Sequence, residues 1–243
     1  MIIPDVIQNL PTKLPLRTIN GYDKMVDISF DLWRLSFIPT LTILENESGL
    51  ENKYGGRIPY FQQGDKWPTE CMLNIKNKIQ KQKQKPLAFV CQFIDPFDAE
   101  NFIQVFALDF LDDELNYNTS STKKSAYIKK RKLYDMRDQI FIDPPNELMS
   151  KNGITSHDTP MLINNWTLKY ELDFLCLCID ENYYDENISE YIPSNEFKLF
   201  GLGNSCQNVN LYRHYIQNIA NGKYGDCGTL HLNKKGYMFG DMA

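Results

Sequence analysis

The sequence predicts a sheet-rich single domain made of two related β units, and three observations carry that expectation. Four runs dense in apolar and β-branched residues, 37–44, 86–94, 102–108 and 166–179, read as strands. A pattern also recurs. Lys53-Tyr54-Gly55-Gly56 is followed by Gln92-Phe93-Ile94 and then by Phe102 to Phe106; Lys198-Leu199-Phe200-Gly201 is followed by Gln217-Asn218-Ile219 and then, at a similar distance, by Asp226 to Leu230. The first unit is longer between its turn and its glutamine by about the length of a lysine-rich stretch, which reads as an insertion. Finally, 243 residues with 42% hydrophobic content supply one substantial core. A chain of that size buries roughly 70–75% of the surface its unfolded form exposes, so it needs neither metal nor disulfide to fold.

In chain order, the opening segment to about Gly21 carries Pro4, Pro11 and Pro15 and is expected to lie extended against the body. Asp23 to Phe37 alternates in a way compatible with helix or strand, and helix is the preferred reading. Phe37 to Leu44 is a strand, and Lys53 to Pro59 a turn whose glycine pair supplies positive φ. Lys76 to Lys85, with five lysines in ten residues and no apolar periodicity, reads as a solvated loop or frayed helix. Pro86 to Ile94 and Phe102 to Leu108 form a hairpin across the Asp95-Pro96 turn. Asn116 to Arg137 is polar and then basic, centred on Lys129-Lys130-Arg131-Lys132, and within it Lys123 to Lys132 is expected to be a long, flexible loop. Trp166 to Ile179 is a further strand, with Cys176 and Cys178 on one face. An acidic tract from Asp180 to Tyr191 follows, and the remainder is Gly-rich and β-like.

Composition narrows the function classes. The formal charge of −5 argues against a dedicated duplex-DNA binder, which is usually strongly basic. Neither a signal peptide nor an apolar run near the ~20 residues of a membrane span is present, so a cytoplasmic protein with no membrane partner is expected. In that reducing compartment the six cysteines (Cys71, Cys91, Cys176, Cys178, Cys206, Cys227) read as buried small hydrophobes. Gly201-Leu202-Gly203-Asn204-Ser205-Cys206 begins like a dinucleotide fingerprint, but Cys206 takes the third glycine position and no helix opens after it. Cys-x-Cys is not a zinc knuckle, so no metal or other cofactor is expected. His157-Asp158 sits in a turn-like run, and His231 in an alternating strand as a structural histidine. The two basic stretches supply the candidate RNA- or protein-binding residues: Lys76, Lys78, Lys81, Lys83 and Lys85 in one, Lys123, Lys124, Lys129, Lys130, Arg131 and Lys132 in the other.

Lys53-Tyr54-Gly55-Gly56-Arg57-Ile58-Pro59, then Trp67-Pro68, then Pro86-Leu87-Ala88-Phe89-Val90-Cys91-Gln92-Phe93-Ile94 resembles the motif series of the YwqG-like (DUF1963) family and of the distantly related programmed-cell-death-2 group. Tyr224-Gly225-Asp226-Cys227-Gly228-Thr229-Leu230 resembles the family's late Trp-Gly-Asp-x-Gly strand entry. The zinc-bearing relatives carry paired cysteine knuckles between the Trp-Pro and the next strand. This chain has only Cys71 there, so the YwqG-like branch fits better. The resemblance implies an α+β, sheet-rich single domain of two related β units with a few short helices. On that basis residues 1–36 form an N-terminal extension packing on a YwqG-like domain of 37–243, with repeat units at 37–110 and 160–243. The matched positions are Gly55, Gly56, Pro59, Trp67, Pro68, Gln92, Gln217, Gly225, Asp226 and Gly228, read as turn formers and buried amides.

The zinc-bearing relatives are linked to ribosome assembly, and with the lysine stretches this implies a non-enzymatic factor. Such a factor would dock on a ribosome or other ribonucleoprotein, touching rRNA and basic ribosomal proteins; a ribosome dormancy factor is one specific form, and sequence-specific DNA is not expected. A chaperone module for a ribosomal protein is an alternative. A hydrolase or nucleic-acid-processing enzyme is another, requiring Gln92, Gln217, Asp226 and His231 to converge in a cleft between the sheet units.

Overall fold

The computed structural model describes residues 10–17, 23–73, 85–108, 124–145, 148, 159–172, 191, 196–201, 215–217 and 229–241. Their strands are β1 (Lys13–Arg17), β2 (Asp23–Asp27), β3 (Trp33–Ile43), β4 (Lys53–Tyr54), β5 (Phe61–Gln62), β6 (Ala88–Ile94), β7 (Asn101–Ala107), β8 (Ala126–Lys132), β9 (Gln139–Ile140), β10 (Met161–Leu172), β11 (Lys198–Phe200), β12 (Ile216–Gln217), β13 (Thr229–Leu232) and β14 (Met238–Asp241). The helical elements described over their whole length are 3-10 turns at Phe30–Leu32, Glu70–Leu73 and Leu133–Asp135, and single helical residues are described at Leu148 and Tyr191. No helix among the described residues reaches seven residues, so the expected α+β class is corrected to mostly β. None is long and apolar enough to cross a membrane.

The helix expected over 23–37 accounts for part of that correction. Its alternation is met by a two-residue period. In β2, paired antiparallel with β1, Val26 packs on the cluster of Leu14, Ile28, Trp33 and Leu172, while Met25 stays exposed. β3 then starts at Trp33 and runs straight through the boundary expected at residue 36.

Ten strands form one antiparallel sheet in the order β14-β13-β12-β11-β3-β10-β4-β6-β7-β8. It curls into a nearly closed barrel. A bridge between Lys124 and Tyr237 joins its ends, and the N–H groups of Ser125 and Ala126 both donate to the Gly236 carbonyl at 2.9 and 3.0 Å. Gly236 has φ 89°, and a Cβ there would lie 2.3 Å from the Ala126 carbonyl oxygen, so only glycine permits this seam. The interior is filled by Tyr54, Val90, Phe93, Val105, Ile163, Phe197, Leu199 and their neighbours. A second cluster on the outer face packs Trp67, Phe61, Leu87 and Phe89 against Phe106.

The centre of the sheet has an internal two-fold logic. β3 and β10 pair along their length, from Ile43 opposite Met161 to Trp33 opposite Leu172, with a bulge at Asn164 between the pairs Ile163–Leu41 and Asn165–Thr40. Short β4 adds to β10, with Tyr54 opposite Met161; short β11 adds to β3, with Leu199 opposite Phe37. Lys53 then faces Gln92 on β6 as Lys198 faces Gln217 on β12. The Gly55 N–H donates to the Val90 carbonyl at 2.7 Å as the Phe200 N–H donates to the Tyr215 carbonyl at 3.0 Å. Each half thus lends its long strand to the other, and the recurring lysine–glutamine pattern marks equivalent places in the two.

Candidate functional site

In the first half the matched Gln92 belongs to a polar row on the outer face, where Lys53, Gln92, Gln104 and Lys129 face one another across β4, β6, β7 and β8. Lys53 is fully buried; its ammonium donates to Glu47 at 2.8 Å and to the Ile58 carbonyl at 2.6 Å, with Glu51 at 3.6 Å. Glu47 also accepts from the Arg57 and Ile58 N–H groups, closing the turn opened by Gly55 and Gly56 at φ 74° and 87°. The buried Gln92 amide accepts from the Tyr60 N–H at 2.9 Å and donates to the Gly49 and Glu51 carbonyls at 2.7 and 2.9 Å. Pro59 and Pro68 are buried, and the Trp67 indole donates to the Leu87 carbonyl at 2.8 Å. These residues lash the 47–68 segment to the sheet, which is a structural task.

At the end of the row, Asp65 takes Lys129 at 2.8 Å and also Arg131. Both cations come from β8, so the 126–132 stretch expected as a flexible loop is an ordered strand. Alternation sends Lys129 and Arg131 to one face, over the rings of Phe61 and Tyr60. The long-range partner Asp65 carries no local sequence signal. Burial raises the Asp65 carboxyl, but hydrogen bonds from Lys129, the Gln62 N–H and Arg131 more than reverse this and hold it below its ordinary 3.8. Burial pulls Lys129 below its ordinary value, with Asp65 opposing. Asp65 therefore contributes stability that is complete above its unfolded value and is lost as pH falls through the lower folded one. In Asp65→Asn the acid limb of the stability–pH profile should flatten, as read by urea denaturation across the acid range; an unchanged limb would mean these ion pairs add nothing.

In the second half Lys198 and Glu171 are both fully buried and meet at 2.5 Å. Gly201, at φ 71°, passes so close that a Cβ would lie 2.4 Å from the Glu171 carboxylate. Gln217 donates to the Gly201 carbonyl at 3.4 Å, and on the neighbouring strand β13 His231 is also buried.

Among the described residues, concave surface is found at the barrel seam. A cavity of about 630 Å³ opens where β3, the β6–β7 turn, β7, β8, β11 and the β13–β14 turn converge. Phe97, Phe200 and Tyr215 line it in edge-to-face series, with centroids 4.5 Å apart for the first pair and 5.4 Å for the second. Lys130, Lys234 and Asp95 supply its charge, with Lys234 Nζ 4.7 Å from the Phe200 ring centre. A second cavity of about 340 Å³ shares the lining residues Ile128 and Lys234 with the first and is lined also by Lys124, Lys235, Tyr127 and Tyr237. Among the described residues the linings of these two adjoining cavities, taken together as the seam groove, carry four lysines, one carboxylate and five aromatic rings, with Ile128 on the inner face of β8 and Tyr127 on the outer. Burial pushes the Tyr215 phenol up, so it stays a neutral hydroxyl.

Of the expected binding residues, Lys124 and Lys130 reach this groove. Lys129 and Arg131 are committed to Asp65, and Lys132 lies 3.0 Å from Glu100. Lys85 is exposed at the start of the segment leading to β6. Lys76, Lys78, Lys81, Lys83, Lys123, Gly225, Asp226 and Gly228 lie outside the described residues, as do His157-Asp158, 202–206 and the acidic tract short of Tyr191. Sequence reasoning missed Lys234 and Lys235, whose signal is a lysine pair in a turn between Asn233 and Gly236-Tyr237. Gln92, Gln217 and His231 line neither cavity. Cys91 is buried, but Cys71 is exposed, against the expectation of buried thiols. Among the described residues no group of His, Cys, Asp or Glu is placed to hold a metal ion.

A scan against protein-family models matches no family, and searches of curated proteins and of solved structures return no match.

Proposed function

We propose that this protein is a non-enzymatic factor that binds ribonucleoprotein, holding single-stranded RNA along the seam groove. The observation that supports this reading is the groove itself: Lys124, Lys130, Lys234 and Lys235 interleaved with aromatic rings, and Asp95 as the one carboxylate among the described lining residues. Single-strand binders combine cations that track phosphates with ring faces that take bases. The net charge of −5 then suits a protein whose basic surface is confined to one groove. The resemblance to the YwqG-like family's zinc-bearing relatives, which are linked to ribosome assembly, adds the ribosome as the partner of choice, with the cytoplasm as the place. Gln92, one of the four residues that the hydrolase alternative would bring together, is buried and bonded to three backbone groups, which favours the binding reading over it.

Fluorescence anisotropy with a short single-stranded RNA tests the reading. Lys130→Glu combined with Lys234→Glu should weaken binding at least about tenfold, and the slope of log K against log salt should fall by roughly 0.7 for each phosphate no longer neutralised. Unchanged affinity in this variant would sink the proposal. Sucrose-gradient cosedimentation with ribosomes at low salt is the companion measurement. Association that survives nuclease would shift the reading to a protein partner.

A further inference from the structure

The two halves of the barrel provide an internal control on the groove. At the equivalent hydrogen-bonded position the first half has Gly55 and Val90, while the second has Phe200 and Tyr215. The halves keep the lysine, the glutamine and the following glycine, yet at this position they differ by two aromatic rings, both facing the cavity. The first of these is costly. Phe200 has φ 58°, the one non-glycine residue with positive φ among the described residues. A bulky side chain there is strained, and glycine, as at Gly55, would relieve it. Backbone strain of this kind persists where the surroundings impose it, and it clusters at sites of function.

Three further observations indicate what the rings are for. Phe97 extends the series yet remains 38% exposed, so its ring is available at the mouth. The rings meet edge to face, at 77° and 70°, and Phe97 meets Phe37 in the same way, so each contact covers a face of one ring of its pair where parallel stacking would cover a face of both. Lys234 rests over Phe200 and, at 5.8 Å, over Tyr215, and Lys130 lines the same cavity. A cationic guest would meet two lysines against the single carboxylate of Asp95, and a purely apolar guest would leave that excess positive charge without a partner. A planar guest carrying a negative charge is complementary to both features.

We infer that Phe97, Phe200 and Tyr215 form a slot for one unpaired nucleobase of a single-stranded RNA, whose adjoining phosphates are met by Lys130 and Lys234. The slot rests on the RNA-binding reading and deepens it: lysines hold the strand, and rings select unpaired bases over duplex. On entry the base takes the ring face over which Lys234 lies, and the ammonium moves to the phosphate.

The test uses the full chain with a 2-aminopurine-containing single-stranded RNA and a duplex of the same length. Phe200→Gly installs the residue of the equivalent position, and Phe97→Ala removes an exposed ring without touching the strained backbone. In each variant, single-strand affinity should fall roughly tenfold while duplex affinity and the salt slope hold, and the 2-aminopurine quenching expected with the native protein should diminish. If the single-strand to duplex ratio and the quenching are unchanged in both variants while Lys130→Glu with Lys234→Glu still weakens binding, the slot is wrong and the groove stands. If neither set of variants moves binding, both are wrong.

Discussion

Lys198→Met alone should lower the unfolding free energy by about 3–5 kcal/mol, the usual result of removing one partner of a buried ion pair. Lys198 and Glu171 have no exposed side-chain surface, so the carboxylate left behind would stay buried without the ammonium that balances it. Gly201 packs against that carboxylate, so water has little room to enter. The double variant Lys198→Met with Glu171→Leu should recover most of the loss, because an apolar pair of similar volume does not incur the desolvation of two charges. Urea denaturation of the native protein and the two variants measures this. A single variant within about 1 kcal/mol of the native protein would show that the pair is solvated after all. The native protein should also show an alkaline signature. Burial pulls the Lys198 ammonium down to about 8 from its ordinary 10.5, with Glu171 opposing. The unfolded chain then binds the extra proton between those values, so stability rises with pH across that window. Lys198→Met should lack the rise.

Gln92→Leu is expected to cost about 3 kcal/mol or more. The leucine fits the volume, but it abandons the Tyr60 N–H and the Gly49 and Glu51 carbonyls, each worth roughly 1–3 kcal/mol when left buried without a partner. Gln217→Leu is the internal comparison: among the described residues its amide makes one bond, of 3.4 Å, to Gly201. It should therefore cost less, and equal losses at the two sites would show that the amides act by packing alone. In Gln92→Leu the 47–60 segment should loosen before the barrel does, giving faster amide exchange at Tyr60 than at Val105.

Much of the barrel was legible locally. The runs around β3, β6 and β7 are apolar on both faces or bounded by turn residues, and the hairpin at Asp95-Pro96 follows from that punctuation. The Gly55-Gly56 turn was legible because positive φ selects glycine. β8 was not, because its four consecutive cations look like solvent-facing sequence. They become a strand when Asp65, 64 and 66 residues away from Lys129 and Arg131, neutralises one face and the seam uses the other. The helix expected over 23–37 failed for a related reason: alternation alone does not fix the period, and the partner strand β1 decided it.

The echo between the halves is the clearest division of labour between sequence and tertiary structure. The order of residues alone determined that Lys53 and Gln92 have counterparts in Lys198 and Gln217, since a repeated backbone path repeats its turn and its buried amide. Phe200 in place of Gly55 was equally visible there, but without meaning, because a substitution in a repeat does not say where its ring points. Closure of the barrel gave it one. The seam between Lys124 and Tyr237 brings Phe97, Phe200 and Tyr215 to one mouth with Lys130 and Lys234, from segments up to 137 residues apart. Local periodicity records which face of a strand is buried; only long-range hydrogen bonds decide which strands meet, and so which rings and charges share a groove.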